Sequence, residues 1–101
     1  MTTIDIDAIH KALANSVRRE ILTSLKEPAT CFPEQELSLE NGVCAGAINT
    51  RCGLSQSTVS AHLAVLQNAG LVSSTRIGQW VFFKRNEAVI QAFLNALHTG
   101  L

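Results

Sequence analysis

A chain of 101 residues, 47% of them hydrophobic, has the size of one domain or of one domain with an added oligomerising helix. Its eight acidic residues balance eight Lys and Arg residues, so it is not a strongly basic protein that binds every polyanion. No apolar run reaches the roughly 20 residues that cross a bilayer, and no signal peptide is visible. Because the three cysteines are also irregularly spaced, we expect a cytoplasmic protein in a reducing compartment, with no membrane partner.

The charges are segregated along the chain. Residues 1–41 carry seven carboxylates against four cations, whereas residues 42–86 carry four cations and no carboxylate. The seven carboxylates are Asp5, Asp7, Glu20, Glu27, Glu34, Glu36 and Glu40, and the four cations of the second segment are Arg51, Arg76, Lys84 and Arg85. A carboxylate-free segment joined to an acidic one is typical of a protein that presents one surface to an anion.

Two helices are predicted in the first quarter of the chain. The first spans residues 5–13 and has an aspartate, Asp5 or Asp7, as its N-cap; the second covers residues 15–25 and is capped by the asparagine at its start. The arginine pair at 18–19 opposes the dipole of the second helix. We therefore expect both arginines to have partners, either nearby carboxylates or a phosphate.

Residues 26–41 form an irregular connection, because Pro28 and Pro33 prevent a continuous helix. We expect residues 33–36 to form one helical turn with proline at its first position, and residues 37–39 to form a very short strand. A connection of this length is often functional in a small domain.

A helix-turn-helix is predicted from two helices at residues 43–52 and 55–69, separated by a turn at Gly53. Ser55 is the N-cap of the second helix, since its hydroxyl can accept from a free backbone N–H group. The apolar stripe of this helix comprises Val59, Leu63 and Leu66, and its opposite face comprises Gln56, Ser57, Ser60, Ala61, Ala64 and Gln67. That face is compact, polar and free of carboxylates, as the floor of a DNA major groove requires. The alternative is a solvated amphipathic helix, although such helices usually carry Glu and Lys.

A β-hairpin follows at residues 71–85, with Gly78-Gln79 as its two-residue turn. Asn86 caps a last helix over about residues 86–98. This order predicts a single winged helix-turn-helix domain over residues 1–101, mainly α with a small β-hairpin. Because the first and last helices carry more apolar surface than the core needs, we predict a two-fold homodimer through them. The alternative is that both helices only complete the core of the monomer.

Four segments resemble the ArsR family of bacterial winged-helix transcriptional repressors. They are residues 12–22 (ALANSVRREIL), 53–63 (GLSQSTVSAHL), 69–72 (AGLV) and 76–80 (RIGQW). The Leu-Ser-Gln-Ser-Thr-Val-Ser-x-His-Leu motif of the second segment is highly specific for this family. The resemblance spans nearly the whole chain except residues 26–41. It implies a homodimer that binds a palindromic operator in double-stranded DNA, represses transcription, and often releases DNA when a metal or an oxidant is sensed.

Metal sensing is where the chain departs from the family it resembles. Members that bind soft metals on the third helix carry a Cys-x-Cys pair, whereas this chain has Cys44 followed by Gly46. Members that hold zinc on the last helix use histidine and acidic residues, of which this helix offers only Glu87 and His98. We therefore expect no metal site and no cofactor.

A thiol switch remains open. Cys44 begins the predicted third helix, where the helix dipole favours the thiolate, and Cys31 lies in the connection that leads to it. These two candidate sensing residues could form a disulfide, or share a soft metal with an outside ligand. The simpler interpretation is that Cys44 is a small buried hydrophobic residue, as we expect for Cys52.

The candidate DNA-binding residues lie on the second helix of the helix-turn-helix and on the hairpin. They are Ser55, Gln56, Ser57, Ser60, Ala61, His62, Arg76, Gln79, Lys84 and Arg85. The residues near the N-terminal end of the helix would meet base edges, whereas His62 is expected to meet a phosphate or to cap an edge of the core. The hairpin residues would hold phosphates or probe the minor groove. Trp80, at the base of the hairpin, is expected to be a packing anchor.

Two other functions compete with a ligand-controlled repressor: a protein-interaction module and a repressor with no ligand. We expect no enzyme, because the chain has no catalytic triad, phosphate-binding glycine loop or paired carboxylates.

Overall fold

Six helices and three short strands form the chain in the computed structural model, which describes residues 3–101. The helices are α1 (Ile6–Leu13), α2 (Ser16–Lys26), α3 (Pro28–Cys31), α4 (Ala45–Cys52), α5 (Gln56–Asn68) and α6 (Glu87–Gly100). The strands are β1 (Val43–Cys44), β2 (Val72–Ile77) and β3 (Trp80–Arg85), and a 3₁₀ turn covers Leu39–Asn41. The predicted helix-turn-helix is confirmed as α4 and α5, and the predicted hairpin as β2 and β3.

Side-chain caps define where the long helices begin. The backbone N–H of Ala8 donates to Asp5 at 3.0 Å, so Asp5 and not Asp7 caps α1. The predicted caps Asn15, Ser55 and Asn86 are confirmed on α2, α5 and α6. Each cap satisfies a backbone donor that the helix itself leaves free, which contributes about 1 kcal/mol.

The connection between α2 and α4 differs from the prediction. Its helical turn is α3, which begins at Pro28, and residues 33–36 form no helix. Phe32, which is only 5% exposed, anchors the end of this turn in the core. The strand predicted at residues 37–39 is also wrong, because Leu39–Asn41 is a 3₁₀ turn and the strand is β1. The first helix of the helix-turn-helix consequently begins at Ala45 and not at residue 43.

β1 joins the predicted hairpin to give a three-stranded antiparallel sheet in the order β1-β3-β2. Val43 pairs with Phe83, and Ile77 pairs with Trp80 across the Gly78-Gln79 turn. Gly42 makes the approach of β1 to β3 possible: its φ is 111°, and a Cβ atom there would lie 2.5 Å from the carbonyl oxygen of Phe83. Only glycine fits this position.

The core lies beneath α5. Val59, Leu63 and Leu66 are all buried, which confirms the predicted apolar stripe. They pack in one cluster with buried side chains of the other elements, among them Ile9 of α1 and Ile21 of α2. Since the stripe faces inward, the opposite face of α5 is directed to solvent. No helix within residues 3–101 is both long and apolar enough to span a membrane.

Candidate nucleic-acid interface

The outward face of α5 is exposed and carries no carboxylate. Ser55, Gln56, Ser57, Ser60 and Ala61 are all exposed. The hydroxyl of Ser55 accepts from the backbone N–H of Thr58 at 3.3 Å and lies 2.7 Å from the Thr58 hydroxyl. The N-terminal turn is therefore fixed by its own cap, while the side chains of Gln56 and Ser60 are directed away from the core.

His62 differs from the other candidates on α5, because it is half-buried against α2. Its Nδ1 lies 3.3 Å from a guanidinium nitrogen of Arg18. The same guanidinium donates to the carbonyl oxygens of Ala12 at 2.7 Å and Lys11 at 3.1 Å. The imidazole thus belongs to a contact that joins α1, α2 and α5.

The arginine pair of α2 has partners of a different kind from those predicted. Arg18 donates to the carbonyls named above, and Arg19 donates to the carbonyl oxygen of Leu13 at 2.6 Å. These acceptors are carbonyl groups in the last turn of α1, where the helix dipole is negative. Both arginines therefore cap α1, instead of pairing with Asp7 or Glu20.

The wing, β2 and β3 with their turn, presents exposed side chains of Arg76, Gln79 and Lys84. Arg76 donates to the carbonyl oxygen of Gly78 at 3.3 Å, which holds its guanidinium beside the turn. In the first half of β2, the Ser74 hydroxyl accepts a hydrogen bond from the Gln67 side-chain amide at 3.0 Å. This bond ties the C-terminal half of α5 to the wing. Sequence reasoning missed it, since no local pattern pairs these two residues.

Arg85 is not free to hold phosphate in this structure. Its side chain is 15% exposed, pairs with Glu87 at 2.5 Å, and donates to the carbonyl oxygen of Leu22 at 3.4 Å. The hydrogen bond from Arg85 lowers the pKa of Glu87 below its usual value. Arg85 therefore joins β3 to α2 and α6.

Arg51 also has a carboxylate partner, Glu20, at 3.9 Å. Its guanidinium donates to the carbonyl oxygen of Cys31 at 3.1 Å and lies 5.7 Å from the Phe32 ring centroid. Within residues 3–101, Arg76 and Lys84 have no ion-pair partner. The four cations of the carboxylate-free segment thus reduce to two that are available for phosphates.

The two candidate sensing cysteines lie on one cavity. Cys31 and Cys44 are half-buried free thiols, and both line a cavity of about 590 Å³. Cys44 is the N-cap residue of α4, but its side chain makes no capping hydrogen bond. Trp80 lines the same cavity and is 46% exposed beside the wing turn, so the prediction of a packed anchor at the wing base is wrong.

Cys52 lies away from this cavity, and burial raises the pKa of its thiol. That environment suits a small packing residue and disfavours a reactive thiolate. Within the part of the chain that the structure describes, no group of three or more His, Cys, Asp or Glu side chains could hold a metal ion.

The predicted dimerisation helices contact one another. The rings of His10 on α1 and Phe93 on α6 meet edge to face at 5.3 Å. Each helix also exposes a large apolar side chain: Ile6 is 40% exposed and Leu94 is 50% exposed. Together, α1 and α6 present apolar surface that the core of one protomer does not cover.

The comparisons with known proteins agree with this arrangement. Residues 37–74 match the model described as "Bacterial regulatory protein, arsR family". The chain is 38% identical over 95 residues to the HTH-type transcriptional regulator YbzH of Bacillus subtilis, covering 92% of this chain and 95% of that protein. It is 34% identical to the transcriptional activator HlyU of Vibrio cholerae, covering 87% of this chain and 69% of HlyU. The homodimeric winged helix-turn-helix DNA-binding domain of Mb0332 from Mycobacterium bovis superposes with a TM-score of 0.66 at 27% identity, covering 94% and 77% of the two chains.

Proposed function

Because the chain belongs to the ArsR family of bacterial transcriptional regulators, and is therefore not an enzyme, we propose that it is a homodimeric repressor that binds a palindromic operator. Two observations carry this proposal: the N-terminal half of α5 has an exposed, carboxylate-free face, and the wing carries two exposed cations with no ion-pair partner within residues 3–101. The helix-turn-helix of this proposal is α4 and α5, residues 45–68, and its wing is β2 and β3, residues 72–85.

In this mechanism the N-terminal half of α5 enters the major groove. Gln56 is placed to make a bidentate pair with adenine, and Ser57 and Ser60 lie beside it. Arg76, Gln79 and Lys84 contact phosphates or the adjacent minor groove, which positions the protein without specifying sequence. We assign structural roles to His62 and Arg85, because both are engaged inside the protomer.

Dimerisation through α1 and α6 places two copies of α5 about 34 Å apart, one turn of duplex. Two unpaired cations per protomer give four per dimer. A plot of the logarithm of the operator-binding constant against the logarithm of the salt concentration should therefore have a slope of about −4.

The proposal is tested by titrating duplexes from the protein's own upstream region and by footprinting the complex. A protected site with two-fold symmetry is expected. If the protein shifts no such duplex, the chain acts as a protein-interaction module; if it shifts every duplex alike, it binds DNA without sequence preference. Either result contradicts the proposal.

Base readout and phosphate contact are separable by two variants. We expect Gln56→Ala to remove discrimination at one base pair of each half-site, about 1–3 kcal/mol per contact. Lys84→Ala should instead weaken all duplexes alike and make the salt slope shallower by about 2, one unit per protomer. Affinities for a panel of single-base operator variants at several salt concentrations check both expectations. Equal effects of the two substitutions on every duplex would contradict the assignment.

We further propose that the repressor responds to oxidants through Cys31 and Cys44. The supporting observation is that both thiols line one cavity, between the end of α3 and the start of α4. In the reaction, hydrogen peroxide takes two electrons and two protons from the thiols and leaves a disulfide and two molecules of water. The bond would tie the α2–α4 connection to the helix-turn-helix.

We expect peroxide to weaken operator binding reversibly in the wild type, with dithiothreitol restoring it. Cys44→Ser and Cys31→Ser should each abolish the response, whereas Cys52→Ser is the matched control and should retain it. Parallel titrations with arsenite and zinc distinguish an oxidant from a soft metal. If none of peroxide, arsenite and zinc weakens operator binding by the wild type, the repressor senses neither an oxidant nor a soft metal.

A further inference from the structure

The cavity that the cysteines share is large enough for a small molecule. Its volume of about 590 Å³ falls within the range of roughly 300–1,000 Å³ of ligand pockets. Residues 31–37 form one wall, α4 forms the second, and Trp80 of the wing forms the third. Three segments far apart in sequence therefore line it.

The charge of the lining is negative. Glu34 and Glu36 line the cavity, and neither has an ion-pair partner within residues 3–101. The cationic residue of the lining, Arg51, is already engaged by Glu20, by the carbonyl of Cys31 and by the Phe32 ring. An anionic ligand would be repelled by the two carboxylates, and the Arg51 guanidinium already has other partners.

The aromatic lining also favours a cation. The Trp80 indole is half exposed at the cavity, and an indole face is the best aromatic partner for a cationic group. Pro33, Leu37 and Ala47 add apolar surface. A ligand with a positive charge and an apolar body matches all of these groups.

Hydrogen bonds of Gln35 and the absence of a side chain at Gly46 shape two walls of the cavity. The Gln35 side chain donates to the carbonyl oxygens of Leu37 at 3.1 Å and Gly42 at 3.3 Å, and accepts from the backbone N–H of Cys44 at 2.9 Å. These bonds fix the wall against β1. On the opposite wall, a Cβ atom at Gly46 would meet nothing within 4 Å, so glycine there leaves space that any larger side chain would occupy.

We infer that this cavity binds an organic cation with an aromatic or apolar body, between the Glu34 and Glu36 carboxylates and the Trp80 indole. Binding itself requires no DNA and no cysteine chemistry. If the proposed function holds, a ligand that contacts both α4 and the wing is thermodynamically linked to operator binding. This consequence rests on the proposed function, and the DNA-free titration below is independent of it.

Two ions of the same shape and opposite charge test the inference. Trp80 is the chain's single tryptophan, so its fluorescence reports occupancy of the cavity directly. Tetraphenylphosphonium is expected to change this emission saturably, and tetraphenylborate to do so far more weakly. Equal responses to the two ions would show that the site selects apolar surface and not charge. That result, or no response to tetraphenylphosphonium, overturns the inference.

Two variants and one control locate the site. Glu34→Gln combined with Glu36→Gln is expected to weaken tetraphenylphosphonium binding about fivefold, since exposed charge pairs are individually weak. Glu27→Gln combined with Glu40→Gln removes the same charge outside the cavity and should leave binding unchanged. Gly46→Leu should abolish binding by filling the space, and circular dichroism confirms its fold. Retained affinity in a folded Gly46→Leu protein would contradict the site.

Discussion

Gln56→Glu is expected to lower the affinity of the dimer for its operator on the order of 100-fold, without loss of stability. The substitution keeps the shape of the side chain and exchanges an amide for a carboxylate on an exposed face that has none. Each protomer then loses a base contact of about 1–3 kcal/mol and adds a negative charge beside the phosphates. Two copies act on one operator, so the losses combine. Fluorescence anisotropy with a labelled operator measures the effect.

The position of Gln56 separates loss of binding from loss of folding. Gln56 is the first residue of α5, where a carboxylate interacts favourably with the helix dipole by about 0.3–1 kcal/mol. The thermal midpoint should therefore be unchanged or slightly raised. Asn68→Asp is the matched control: it makes the same amide-to-carboxylate exchange at an exposed position of the same helix, about 18 Å along the axis. Its effect on operator affinity should be below about threefold, and a loss equal to that of Gln56→Glu would show that α5 does not enter DNA by its N-terminal half.

The elements that the sequence predicts well are those that local chemistry determines. Ser55, Asn15 and Asn86 each accept a backbone hydrogen bond from a residue three positions later, so each cap is visible in a short window. The stripe of α5 and the two-residue wing turn are equally local. These signals give the fold class and the outward face of α5.

The features that could not be predicted depend on contacts between distant segments. β1 is only two residues long, and it forms because Val43 pairs with Phe83, forty positions away. The partner of Arg51, Glu20, likewise comes from a distant part of the chain, whereas Glu87, the partner of Arg85, lies just beyond the carboxylate-free stretch. A stretch without carboxylates therefore does not make every cation in it free. The cavity has no sequence signature at all, because it exists only between three assembled segments.

Leu94→Glu is expected to dissociate the proposed homodimer and to lower operator affinity by on the order of 100-fold. Leu94 is 50% exposed in the protomer, so a glutamate there leaves the protomer core intact. In a two-fold interface the same position occurs in both copies, and two carboxylates would be placed in one apolar contact. Each free protomer would then bind its half-site without the effective concentration that a dimer supplies, which is worth about 10²–10⁴.

Sedimentation velocity distinguishes this effect from unfolding, because a dissociated variant remains a compact protomer with an unchanged circular dichroism spectrum. Val65→Glu is the control, since Val65 is also an exposed apolar side chain but lies on α5; it should sediment as a dimer. A single half-site should bind wild type and Leu94→Glu with similar affinity, because base contacts by α5 are untouched. If the Leu94→Glu protein stays dimeric, the dimer interface does not include Leu94. The exposed apolar faces of α1 and α6 would then contact a different partner.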